Sequence, residues 1–207
     1  MTMRAAGGPL QHGQETPSAW VQRWSHLVRP QGSVLDVACG HGRHMAWFSQ
    51  RGHPVTGIDR SEQAVAAAGA FGTCVLADIE NGPWPLHSQS TSPASGGASQ
   101  QPQTFNAVIV TNYLWRPLLP TLLQSVSAGG VLIYETFAAG NETVGKPSRP
   151  DFLLQPGELL RAFAGLRVVA YEDGFIDTPA RFVQRLVAVS PSPEHTSAST
   201  PARWFLL

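Results

Sequence analysis

Apolar residues along the chain change period again and again, and each change marks an element. After a Gly-, Gln- and Pro-bearing stretch over 1–16, AWVQRWSHLV sets Trp20, Val21, Trp24, Leu27 and Val28 at helical spacing. Pro17 and Ser18 are its start signals and Pro30 its stop. Residues 33–38 are a short continuous apolar run, which predicts a buried strand, and residues 42–51 return to helical spacing through Met45, Ala46, Trp47 and Phe48. The same reading predicts strands over 54–58, 73–77, 105–111 and 130–136, with an Ala-rich helix over 61–69 capped by Ser61. Helices over 118–125 and 157–163 and strands over 166–171 and 182–189 complete the pattern. Strands that alternate with helices, and are themselves continuously apolar, predict a parallel α/β sheet covered on both faces.

Two stretches stand outside this alternation. Residues 87–104, HSQSTSPASGGASQQPQT, carry no Asp, Glu, Lys or Arg and almost nothing apolar. Such a segment cannot bury enough surface to offset its ordering entropy, so it reads as a disordered insertion. The tail over 190–207 is similar until its closing WFLL. One domain over 17–189, with a flexible N-terminus over 1–16 and a flexible C-terminal tail, is the expected organisation.

Bulk properties narrow the class. The chain has 207 residues, 43% of them apolar, and a formal net charge of zero. A neutral balance argues against a nucleic-acid partner, and no apolar run reaches the roughly 18 residues of a spanning helix. The N-terminus lacks the apolar stretch of a signal peptide. Two cysteines, Cys39 and Cys74, make neither a disulfide framework nor a zinc pattern. A cytoplasmic protein with a small-molecule substrate, no metal and no membrane partner is the expectation. Oligomeric state is not legible.

Candidate chemistry lies at the first predicted strand and turn, VLDVACGHGRHM over 34–45. In open α/β sheets the ligand sits outside the carboxyl ends of the strands, and Gly40-His41-Gly42 follows the first strand at once. Asp36 is a carboxylate inside a buried strand, at a cost of several kcal/mol unless something compensates it. A dinucleotide fingerprint would place Gly or Ala three residues after its second glycine, where this chain has bulky Met45. Asp36 would also repel a pyrophosphate but attract a cation. An NAD-binding oxidoreductase is therefore disfavoured.

Val34, Leu35, Asp36, Val37, Ala38, Cys39, Gly40, His41 and Gly42 resemble motif I of the class I S-adenosylmethionine-dependent methyltransferases. The resemblance implies a Rossmann-like seven-stranded sheet in the order 3-2-1-4-5-7-6, the last strand antiparallel, with the Trp20/Trp24 helix flanking the cofactor. It implies S-adenosyl-L-methionine as cofactor, its ammonium compensating Asp36, with Ala38, Gly40 and Gly42 lining the turn. Asp59, seventeen residues after Gly42, matches the position that accepts hydrogen bonds from the ribose hydroxyls, with Arg60 beside it. Asp78 matches the adenine-binding acid and Ile79 the backbone contact to the ring, and Thr111 ends the fourth strand.

On the substrate side, TNYLWRPLLP lacks both prolines of the amino-methylase box. TNYLWRPLLP, YETFAAGNE and PDFLLQPGELL resemble a bacterial branch near the tellurite-resistance methyltransferases. Polar residues at strand ends give Tyr113 and Glu135 as catalytic candidates and Asn112, Arg116, Thr136, Asn141 and Arg149 as substrate candidates. Tyr113, Arg116 and Glu135 are expected to converge opposite the methyl group, or Arg116 to pair with Glu135. A non-catalytic cofactor-binding regulator is the alternative that these residues leave open.

Overall fold

A computed structural model describes residues 16–88, 101–192 and 204–206. Seven strands form one sheet: β1 (Val34–Val37), β2 (Val55–Asp59), β3 (Thr73–Leu76), β4 (Phe105–Thr111), β5 (Val126–Phe137), β6 (Arg167–Asp177) and β7 (Ala180–Val189). Their order is β3-β2-β1-β4-β5-β7-β6. The first five run parallel, and β7 pairs antiparallel with both β5 and β6. This is the order that the motif resemblance implies.

The central strands are buried at every position but Asn106, which explains why they are mostly apolar. One side of the sheet buries Leu35, Val37, Val108 and Val110 with Leu122, Leu159 and Phe163 of the later helices. The other buries Val34, Ala107, Ile109 and Ile133 beneath Trp20, Trp24, Met45 and Phe48. The helices are short: α1 (Ala19–Trp24), α2 (Arg43–Ser49), α3 (Glu62–Ala68), α4 (Leu119–Gln124) and α5 (Glu158–Ala162). Below about 12 residues a helix holds its shape mainly through packing, so each depends on the sheet it covers. α1 ends at Trp24 and continues as a single 3-10 turn over Ser25–Leu27. Ser61 caps α3 by accepting from the Ala64 amide at 3.3 Å.

Three stretches differ from the sequence reading. β5 begins at Val126 rather than 130. β6 and β7 form a longer hairpin than 166–171 and 182–189 suggest, meeting across Asp177 and Ala180. The borders of the Ser-rich segment, read as loose over 87–104, are paired. Ser88 donates its amide to the Gln101 carbonyl at 2.9 Å and Gln103 to Leu86 at 3.0 Å. The loose reading of 1–15, 89–100 and 193–203 lies outside the described residues. Among the described residues no helix is long and apolar enough to cross a membrane.

Candidate active site

β1 ends in a turn that regular backbone cannot make. Ala38 has φ +54°, Gly40 +55° and Gly42 +84°, in the left-handed region that costs a side-chain-bearing residue about 1 kcal/mol or more. A Cβ on Gly40 would meet nothing, so that turn is open to a ligand. A Cβ on Gly42 would stand 2.9 Å from the Ala68 methyl, so Gly42 is also needed to seat α2 against α3. Asp59, ending β2, braces the turn by accepting from the Gly40 amide at 2.8 Å, and its other oxygen accepts from the Ser61 amide at 2.9 Å.

Two clefts meet at Ala38. Ile58, Asp59, Arg60, Ala77, Asp78, Ile79, Glu80 and Tyr113 line the first. Cys39, Gly40, His41, Arg43, His44, Thr111 and Asn112 line the second, more polar one. Arg43 reaches the Thr111 hydroxyl at 3.5 Å. Asn112 repeats the strain of Ala38 on the next strand, with φ +54°, so the ends of β1 and β4 splay apart around the second cleft. Asp78 accepts from the Glu80 and Asn81 amides and from the Asn81 side chain, which holds its carboxyl below the usual range.

Asp36 is the least satisfied group. It is 1% exposed, its Oδ2 has no hydrogen-bond partner, and burial pushes its pKa up to about 7. His44 Nδ1 lies 3.9 Å from that oxygen, beyond hydrogen-bonding range. His44 Nε2 accepts from the Ser18 amide at 3.1 Å, which places the imidazole proton on Nδ1, facing Asp36. Burial pushes the His44 pKa down to about 3, so the ring is neutral.

Ser18 extends this network. Its hydroxyl accepts from the Trp20 amide, capping α1, and donates to Glu135 Oε1 at 3.0 Å. Arg185 Nε donates to the other Glu135 oxygen, and its Nη1 donates to Glu172 at 3.0 Å. Glu135, 2% exposed, is thus a buried anchor between β5, β7 and the start of α1.

The sequence-predicted substrate group does not assemble as expected. Tyr113 faces the first cleft. Its hydroxyl is buried without a hydrogen-bond partner, and burial, with Glu80 nearby, pushes its pKa up. Arg116 pairs with Glu158, at 2.6 Å, instead of Glu135, and donates further to the Asp151 and Leu153 carbonyls. Its donors hold the 150–158 connection, so no fork is left to grip an anion. The Asn141 amide is likewise consumed, donating to the Pro147 carbonyl and accepting from the Phe182 amide. Arg149 is exposed and pairs with Asp151 two residues away. Thr136 is 1% exposed, inside the sheet. His44, Ser18 and Arg185 were not singled out as site residues by sequence. A charged residue in each of two apolar strands, GVLIYET and FVQRLVAV, was the available signal for the Glu135–Arg185 pair.

Residues 34–128 match the family described as methyltransferase domain. Among solved structures, the chain is similar to TehB from Haemophilus influenzae at 18% identity and TM-score 0.60, over 80% of this chain and 59% of that one. The chain therefore spans about 59% of the length of that protein. A TehB-like SAM-dependent methyltransferase from Corynebacterium glutamicum aligns at 16% identity and TM-score 0.57, over 83% of this chain and 86% of that one. An S-adenosylmethionine-dependent methyltransferase from Mesorhizobium loti aligns at 18% identity and TM-score 0.59, over 83% and 98%. No curated protein matches the chain significantly in sequence. The cradle suits the cofactor: an open glycine turn, a carboxylate beside it at the end of β2, and a buried carboxylate oxygen lacking the cation it would accept. The domain match over 34–128 and the sheet order together show that the chain has the fold of these methyltransferase structures.

Proposed function

We propose that the chain transfers a methyl group to a small soluble acceptor held in the cleft between the glycine turn and the end of β4. The partnerless Oδ2 of Asp36 carries this reading: an ammonium would satisfy it, and His44, 3.9 Å from it, lines the second cleft, which favours the methionyl end on that side of Ala38. Asp59 would accept from the ribose hydroxyls, and Asp78, with the backbone of Ile79, would hold the adenine. Arg60 and Tyr113 would wall that cleft. Asp36 would face the cofactor's ammonium, while Arg43, which lines the second cleft and reaches Thr111, would put positive charge near its carboxylate. When bound, the cofactor would supply a methyl group activated by its sulfonium for in-line attack by the acceptor, with S-adenosylhomocysteine as the leaving group.

The protein's own contribution is then positioning and exclusion of water, which can supply several kcal/mol of barrier lowering. Three of its titratable groups give little support to base catalysis. Glu135 is committed to Ser18 and Arg185, His44 is held neutral with Nε2 occupied, and burial opposes ionisation of Tyr113. Acceptors that are already nucleophilic at neutral pH, such as thiolates, soft oxyanions or unprotonated amines, therefore fit better than alcohols. Neutral net charge favours such small molecules over nucleic acid. Screening thiols, amines, carboxylates and chalcogen oxyanions for production of S-adenosylhomocysteine tests the reading. Cofactor binding without turnover on any class would sink it and favour a non-catalytic binder.

A further inference from the structure

The glycine in the middle of β2 leaves a space in the core that the sulfurs of Met45 and Cys39 fill, with a third sulfur beside them. A Cβ on Gly57 would stand 2.4 Å from Met45 Sδ and 2.8 Å from Cys39 Sγ. Cys74 is the register partner of Gly57 on β3, so its side chain leaves the same face of the sheet. Its Sγ lies 3.8 Å from that of Cys39. Cys39 and Met45 are buried, whereas Cys74 is half-buried and gives the cluster a route to solvent.

We propose that Cys39, Cys74 and Met45 form a binding site for one soft, thiophilic monovalent cation of the Cu(I) kind, beneath the glycine turn. An ion about 2.3 Å from each thiolate, a usual metal–sulfur length, would subtend about 110° between sulfurs 3.8 Å apart. The pair is therefore spaced for a bridging ion as it stands, while a disulfide would require the sulfurs to close to about 2.05 Å. Two thiolates and a thioether are the donor set that selects Cu(I)-like ions. Zinc would need a fourth ligand, and among the described residues no group of three His, Cys, Asp or Glu side chains is placed to hold a metal. On binding, two S–H bonds break, two metal–thiolate bonds and one dative bond from the Met45 thioether form, and two protons leave to solvent, with no change of oxidation state.

The site shares Cys39 with the second cleft and is mechanically joined to it. The Cys39 amide donates to the Ile58 carbonyl, and its own carbonyl accepts from the Gly42 amide.

Silver(I), which binds as Cu(I) does without redox cycling, is the probe, added to the full-length chain in chloride-free buffer. Native mass spectrometry should show one ion per chain, and both cysteines should lose reactivity toward a thiol reagent together. The chain has only these two cysteines, so the thiol count is unambiguous. Loss of even an outer partner commonly costs 10–100-fold in metal affinity, so Cys39→Ser and Cys74→Ser should each weaken silver binding by more than about a hundredfold. Met45→Leu, of similar volume, should weaken it about tenfold or more without changing stability in the absence of silver. Wild-type affinity in Cys39→Ser or Met45→Leu would overturn the proposal, as would two ions per chain. Should Cys39→Ser fail to fold, Cys74→Ser and Met45→Leu decide the matter by the same criteria.

Discussion

Asp36 holds a conflict that a ligand can resolve. Its carboxyl is buried with one unpartnered oxygen and titrates near pH 7, so in the ligand-free protein it is largely protonated below that pH. A bound ammonium favours the ionised form, and the proton must leave as the cofactor enters. Affinity for S-adenosylmethionine should therefore fall as pH drops from about 7 to about 5, approaching tenfold per pH unit. Asp36→Asn should bind more weakly and flatten this dependence, and Kd measured across the range by calorimetry checks both. The sign for stability is opposite. A raised Asp36 pKa contributes stability present below the ordinary carboxylate pKa and lost as pH rises through about 7. His44, depressed to about 3, contributes stability that is lost as pH falls through 6.5 towards that value. Asp59→Ala removes hydrogen bonds to a charged acceptor, each worth about 1.5–3 kcal/mol, together with the brace on the Gly40 amide. Affinity should drop at least about tenfold with the fold intact, and superimposable titrations of wild type and variant would remove Asp59 from the ribose role. Gly57 explains how bulky Met45 fits where a dinucleotide turn wants glycine or alanine, since the missing side chain lies on β2 instead. Gly57→Ala should destabilise by about 1–3 kcal/mol through overpacking, measurable by urea unfolding.

The start of α1 is fixed less by its own six residues than by what Ser18 touches. The Ser18 amide reaches His44 on α2, and its hydroxyl reaches Glu135 on β5, which Arg185 of β7 completes. Arg185→Ala would leave the Glu135 carboxylate, 2% exposed, without its cation. Breaking a buried pair from one side costs about 3–5 kcal/mol. Urea unfolding should show a loss of that order, and pairing Arg185→Met with Glu135→Gln should recover much of it. A loss below about 1 kcal/mol would show the pair to be solvated. The strands most legible in sequence were those most fully buried: β4 runs over 105–111 as its apolar run predicts. β6 was cut short because EDGFID, 172–177, is largely exposed edge and carries no sustained apolar alternation. Antiparallel pairing with β7 holds it, and such pairing leaves no mark in hydropathy. Asp36 within β1, Asp59 at the end of β2 and Asp78 just after β3 form a pattern that is legible in sequence because each belongs to one strand and the turn that follows it. Arg116 and Asn141 were misplaced because their partners, Glu158 and the backbone of Pro147 and Phe182, depend on how distant loops fold over one another.

At the scale of the molecule, the sheet reverses its direction of growth at β1, with β2 and β3 on one side and β4 and β5 on the other. A crevice opens where two crossovers leave in opposite directions, as at other such switch points, and here both clefts share Ala38 at that place. The connection from β3 to β4 joins strands on opposite sides of β1 and begins with Ala77, Asp78, Ile79 and Glu80, which line the first cleft, so the Ser-rich segment within it tests what the site needs. Its borders are joined by backbone hydrogen bonds, Ser88 to Gln101 and Gln103 to Leu86, and Trp84 and Leu86 pack on the core just before them. Residues 89–100 can therefore be replaced by a short Gly-containing turn without moving those borders. Shortening a loop fourfold changes its closure cost by only about 1 kcal/mol, in the direction of greater stability. The shortened chain should unfold at equal or slightly higher urea and bind S-adenosylmethionine with unchanged Kd. A lower midpoint would mean that the segment packs against the domain. Unchanged binding with lost turnover would make it part of the acceptor site, and methyl transfer would then depend on a stretch whose composition is that of a spacer.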